Sequence, residues 1–325
     1  MTIVAGARAE GIAVPADPTP PLNDDSGREP TEPPVAVPPV AGPAVRAHSA
    51  SAAGKQGAAR VIGQSVSLLA AFLVGFVVFL VALSGLAESR TQDNLYKSFR
   101  QRLALATAPL GPVAPGTPVA LLDIPRLNLH QVVVEGTTSG ELSEGPGHRR
   151  DSVLPGQFGT AIIMGRRAAF GAPFQRLPDL RPGDTITTTT GQGVATYRVA
   201  GVRDSRAPFT YVPGVIRNRI ALVTSAPVLS PSYSLIVDAD LVSKPQPTVG
   251  AGGTLPAAEQ TLGVDPTAVL PLALWGQVLI LVLVATTWTY ARWSRWPAYL
   301  VTSPVILAVL WNVYENIARL LPNLL

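Results

Sequence analysis

The chain contains no cysteine in its 325 residues. This excludes disulfides, thiolate metal ligation and thiol catalysis, and it leaves the redox compartment open. Histidine occurs at His48, His130 and His148 only, too few for a histidine-built metal centre. No cofactor and no metal is therefore expected. Lysine is also scarce, with Lys55, Lys97 and Lys244 among 25 basic residues, and the formal charge of +4 is scattered along the chain. Such a charge gives no stripe or patch for nucleic acid. Charged residues make up only 14% of the chain against 47% apolar ones, and the apolar residues gather in a few long runs. Membrane-spanning segments are the expectation that follows.

Residues 1–60 are rich in proline and alanine and show no apolar period. A segment of that kind buries too little surface to offset its chain entropy, so it reads as a disordered tail, with a proline-rich recognition ligand as the alternative. Residues 66–86 are uncharged, and at about 1.5 Å per residue they span a hydrocarbon core of about 30 Å as an uncleaved transmembrane helix. Two more apolar runs, 269–290 and 298–316, are joined by a link that holds Arg292 and Arg295. They predict a helical hairpin, with Pro304 as a kink and Trp288, Tyr290, Trp293, Trp296 and Tyr299 as an interfacial aromatic belt. The link is basic whereas residues 245–268 ahead of it carry no basic residue, which puts the link in the cytoplasm. The N-terminal tail is then cytoplasmic and the central part extracytoplasmic. The stretch after residue 311 is expected to continue as an interfacial helix.

Between the membrane segments, residues 103–243 carry short β-branched runs at 119–125, 130–136, 159–165, 184–190, 194–204, 219–225 and 233–242, punctuated by Gly, Pro and Asp. Several short strands and little helix predict a mainly β fold that closes, or nearly closes, into a barrel. PFQRLPDL at 173–180 is the expected helical piece, and residues 244–267 are a flexible linker by composition.

The central residues also resemble a known family. DIPR at 123–126, VEG at 134–136, GPGH at 145–148, PGQ at 155–157, AIIMGRR at 161–167, GAPF at 171–174, PGD at 182–184, YRV at 197–199 and ALVTS at 221–225 occur in the order found in sortases, nearest to the class E-like, housekeeping-type sortases of actinobacteria. The resemblance implies an eight-stranded β-barrel facing the cell wall. It also implies a catalytic histidine, cysteine and arginine, and matching position by position sets Arg166, Ser225 and Ser234 in their places. None of the three is the catalytic type. A serine hydroxyl without a base is a weak nucleophile, a guanidinium stays protonated, and Ser234 supplies no positive charge.

The resulting expectation is a membrane-anchored, catalytically inactive sortase-like domain. Its partner would be a peptide, a cell-envelope component or, through the hairpin, a membrane protein. The alternative is a serine-dependent hydrolase or transpeptidase acting on sorting-signal peptides, with Ser225 as nucleophile and His148 as base. His148 is otherwise a turn histidine bonded to backbone. Phe209 and Tyr211, in the segment that shapes the peptide groove of sortases, are candidate cleft residues, and Asp238 and Asp240 fall on one face of the last strand.

Overall fold

The computed structural model describes residues 50–205, 218–228, 230–250, 253–292 and 295–325. The chain divides at Ala59 and Arg60, and of the first unit only residues 50–59, the start of a helix, are described. The proline-rich tail thus lies outside the described residues up to position 49, as do Phe209 and Tyr211.

Helix α1 (Ala50–Val78) passes through a π-helical turn (Phe79–Leu83) into α2 (Ser84–Ala104). The helix therefore continues well past the apolar run, because α2 packs against the barrel as well as beginning beside the membrane segment. Phe99 is buried against Ala108 and Val132. The Gln92 carboxamide accepts from the Val132 N–H at 2.8 Å and donates to the Val132 and Glu144 carbonyls at 3.0 and 2.8 Å. Backbone groups on one side of a strand are satisfied in this way by a helix side chain.

The barrel strands are β1 (Pro118–Ile124), β2 (Leu129–Glu135), β3 (Gly147–His148), β4 (Thr160–Met164), β5 (Thr185–Thr190), β6 (Gly193–Ser205), β7 (Arg219–Ala226) and β8 (Tyr233–Leu241). They close in the order β1-β2-β3-β4-β7-β8-β6-β5. Seven of the eight strands coincide with the β-branched runs. The two-residue β3 is too short to leave a pattern, yet it bridges β2 and β4 and so closes the barrel. Inward positions form one core that includes Leu122, Ile163, Phe174, Tyr197, Leu222 and Val237. In the threonine run of β5, alternate residues Ile186, Thr188 and Thr190 are buried, the period of two expected of a strand with one wet face. The expected helix at 173–180 shrinks to a single 3-10 turn, Leu177–Asp179, since Pro178 suits a first turn but the segment is too short to propagate.

The stretch predicted to be a flexible linker is laid against the barrel instead. Gln246 bridges to Gln157, and the Thr137 hydroxyl donates to the Glu259 carbonyl at 2.7 Å. The buried Glu259 carboxylate pairs with Arg150, whose Nε lies at 2.9 Å. Composition counts polar and small residues but not these specific anchors.

Helices α3 (Val269–Arg292) and α4 (Arg295–Arg319) form the hairpin. Pro304 lies inside α4, which continues past it to Arg319. Of the proposed aromatic belt, the side chain of Trp288 is described and exposed; those of Tyr290, Trp293, Trp296 and Tyr299 lie outside the described residues. Three helical stretches among the described residues, Gly63–Ala104, Pro266–Thr289 and Leu300–Arg319, are long and apolar enough to cross a membrane. α4 packs on the first helix through Tyr314, whose hydroxyl donates to the Phe72 carbonyl at 2.8 Å, and through Trp311, edge-on to Phe79 at 5.0 Å. The interfacial helix expected beyond residue 311 ends at Arg319. Pro322 has no N–H to extend it, and residues 320–325 turn back onto the barrel.

Candidate functional site

β7 and β8 run antiparallel, and their register pairs Ser225 directly with Ser234. β4 runs parallel to β7 on its other side, with Met164 opposite Val223. Beyond the end of β4 the same edge is kept, because the Gly165 N–H donates to the Val223 carbonyl at 3.0 Å and the Thr224 hydroxyl to the Gly165 carbonyl at 2.8 Å. Gly165 is required here, since a Cβ would stand 2.6 Å from the Phe174 ring. The topology therefore gathers Arg166, Ser225 and Ser234 at one end of the barrel, on three adjoining strands. All three are fully buried.

Arg166 does not act as a free cation at this end. Its Nη2 donates to the Ser139 carbonyl at 2.9 Å and to the Ser139 hydroxyl at 2.7 Å, and its guanidinium carbon lies 4.7 Å over the Phe170 ring. Its Nε and Nη1 have no hydrogen-bond partner among the described residues. Burial, and after it the charge of Arg319, push the guanidinium down to about 9. It remains a cation at neutral pH and takes no proton from a serine.

Ser225 is a donor: its hydroxyl gives its proton to the Leu324 carbonyl at 2.8 Å. Its own carbonyl accepts from Arg167 Nη1 at 2.8 Å, and the Arg167 N–H points at the same Leu324 carbonyl at 3.3 Å. The Ser234 hydroxyl has no partner among the described residues. Among the described residues, the nearest thing to an oxyanion arrangement is thus a pair of donors, the Ser225 hydroxyl and the Arg167 amide, converging on one peptide carbonyl.

His148 is buried and held elsewhere. Its Nδ1 lies 2.8 Å from the Glu135 carboxylate, and its Nε2 lies 2.9 Å from the Val153 carbonyl. A carbonyl only accepts, so Nε2 carries a proton. The Ser152 hydroxyl, 3.1 Å from Nε2, already donates to the Arg149 carbonyl, so it is an acceptor there too. This imidazole presents at Nε2 an N–H already engaged by the Val153 carbonyl, not a lone pair. Asp238 and Asp240 form ion pairs with Arg203 and Arg219 on the barrel surface.

Ser139, Arg167 and the segment around Leu324 carry no signal in the sequence that marks them as site residues on their own. Arg167 stood beside Arg166 in the quoted motif, and Pro322 was the signal that the chain leaves the helix before reaching this edge.

The closed eight-stranded barrel has the sortase fold, and the three positions matched to that family's catalytic residues lie together at one end of it. Residues 122–242 match the sortase domain family, so the barrel of this chain is a sortase domain. Sortase D of Bacillus subtilis is 32% identical over 84 residues, 26% of this chain and 41% of that protein. Sortase SrtE1 of Streptomyces coelicolor is 26% identical over 227 residues, which cover 62% of this chain and 63% of that one. The chain therefore spans less than two thirds of the length of either curated relative. Among solved structures, sortase E from Streptomyces avermitilis is 30% identical with a TM-score of 0.34, covering 41% of this chain and 93% of that chain.

Proposed function

We propose that this chain is a membrane-anchored sortase-fold domain that holds a peptide-type ligand, a cell-envelope component or a segment of a membrane protein, and does not cleave it. The observation that carries this reading is the proton inventory of Ser225. Its hydroxyl is spent as a donor to a peptide carbonyl, Arg166 beside it is a cation, and both nitrogens of His148 are engaged elsewhere. Nucleophilic attack requires a group that accepts the hydroxyl proton, and none of these does. The same donors that fail to activate a nucleophile are well suited to binding a backbone carbonyl.

The barrel lies outside the plasma membrane in this reading. The Asn323 N–H donates to the Gly263 carbonyl at 3.0 Å, so the entry to α3 and the exit from α4 meet beside the barrel, and the basic link with Arg292 and Arg295 is the far end of the hairpin. Basic links favour the cytoplasmic side. A single cysteine introduced at Arg292 or at Asp240 reads this directly in intact cells. Labelling of the Asp240→Cys chain alone by an impermeant reagent supports the orientation, and labelling of the Arg292→Cys chain alone reverses it.

The functional reading is tested by chromatographic assay of peptide turnover by the full chain in detergent, beside Ser225→Ala. No product above the blank is expected from either chain. Product made by the wild type and lost in the variant would replace this reading with the serine-dependent enzyme.

A further inference from the structure

Where a peptide carbonyl meets Ser225, the peptide is the chain's own. Residues 320–325 leave α4 in two short turns, with the Leu320 and Leu321 N–H groups still reaching the Ile317 and Ala318 carbonyls. Leu324 is then fully buried, its side chain among Leu142, Ile162, Met164, Ala221, Val223 and Ile236 on the outer wall formed by β4, β7 and β8. Its carbonyl receives the Ser225 hydroxyl and the Arg167 N–H. Asn323 fixes the register, since its Nδ2 donates to the Thr137 and Gln260 carbonyls at 2.7 and 2.9 Å.

We infer that the face of β4, β7 and β8 covered by Leu324 is a binding groove and that residues 321–325 are its resident occupant, a segment that keeps it shut in cis and that an entering peptide of like chemistry must displace. The fit names that chemistry: a leucine-sized apolar side chain seated in the pocket, followed by a carbonyl between the two donors, and preceded by a carboxamide. The closed state is imperfectly satisfied. Arg166 Nε and Nη1, Ser234 Oγ and Asn323 Oδ1 stay buried without a partner among the described residues. A buried polar atom left unpaired is costly, so a ligand that brings acceptors to Arg166 and Ser234 competes with the resident segment on favourable terms. The segment also hangs directly from α4, which is packed on the first helix through Tyr314 and Trp311.

The absence of native cysteine makes the test clean. In the full chain in detergent, Ser225→Cys provides a single thiol whose rate of maleimide modification reads how often the groove opens. That rate is expected to be far below the rate for the urea-unfolded chain. Adding Leu324→Asp should raise it about tenfold or more, because the apolar anchor is replaced by a charge that resists burial. An excess of the acetylated hexapeptide LLPNLL should slow it again. An unaccelerated rate in a double variant that retains its protease resistance would overturn the inference, as would a Ser225→Cys thiol that reacts at the unfolded rate. If Leu324→Asp fails to fold, Asn323→Ala decides by the same rate: acceleration supports the resident segment, and no acceleration removes it. The labelling rate reports closure alone, so it stands or falls independently of whether the groove turns a peptide over.

Discussion

Replacing Arg166 with methionine should leave the barrel at least as stable at pH 7, and the reason lies in how the guanidinium is buried. The side chain is fully enclosed, and among the described residues two of its nitrogens lack partners and only Ser139 and the Phe170 ring compensate it. Burial holds its pKa well below the ordinary guanidinium range, at about 9. At about 1.4 kcal/mol per unit, keeping it charged costs the folded state up to about 5 kcal/mol. Methionine fills similar length without charge, forfeits the bonds to Ser139, and by analogy with other buried ions should be neutral or stabilising by about 1–4 kcal/mol. The pH dependence has a definite sign. The folded pKa lies below the unfolded one, so from about 9 up to the ordinary guanidinium range the unfolded chain holds the extra proton and stability rises with pH. Below about 9 both states are protonated and the contribution is flat. Pulse proteolysis of the full chain across a urea series reads barrel unfolding in both respects. A methionine variant destabilised by about 2 kcal/mol or more, with the same climb above pH 9 as the wild type, would refute the claim that this cation is poorly compensated.

Two further substitutions test how the groove is positioned. Gln92→Leu orphans the buried Val132 N–H and should cost about 1–3 kcal/mol by the same proteolysis assay; an unchanged midpoint would show that α2 is not a structural part of the barrel. Gly147→Ala places a Cβ against the Gly136 carbonyl, so it should destabilise the chain by about 3 kcal/mol and weaken amide protection in the 160–164 strand, as read by hydrogen exchange.

Seven strands were legible because each has β-branched residues, a period of two and a Gly, Pro or Asp boundary. β3 was not, since two residues have no period, and its existence depends on Gly147 fitting under Gly136. Arg166, Ser225 and Ser234 could be assigned to one edge only through the ordered motifs, because residues about 60 positions apart carry no local signal of meeting. The linker and the segment after α4 were misread for a shared reason. Composition reports how much a segment can bury but not whether single residues such as Glu259, Asn323 and Leu324 find partners on a surface formed elsewhere. His148 illustrates the converse: the GPGH turn was plain in the sequence, while the Glu135 carboxylate that holds its ring came from the parallel pairing of β2 with β3.

The central claim, that this groove holds and does not cut, is tested most directly by intact-mass spectrometry of the full chain after incubation with excess activated peptide ester. An unmodified mass, with no adduct on either the wild type or Ser225→Ala, is expected. An acyl adduct mapped to Ser225 and released by water or an amine would contradict it.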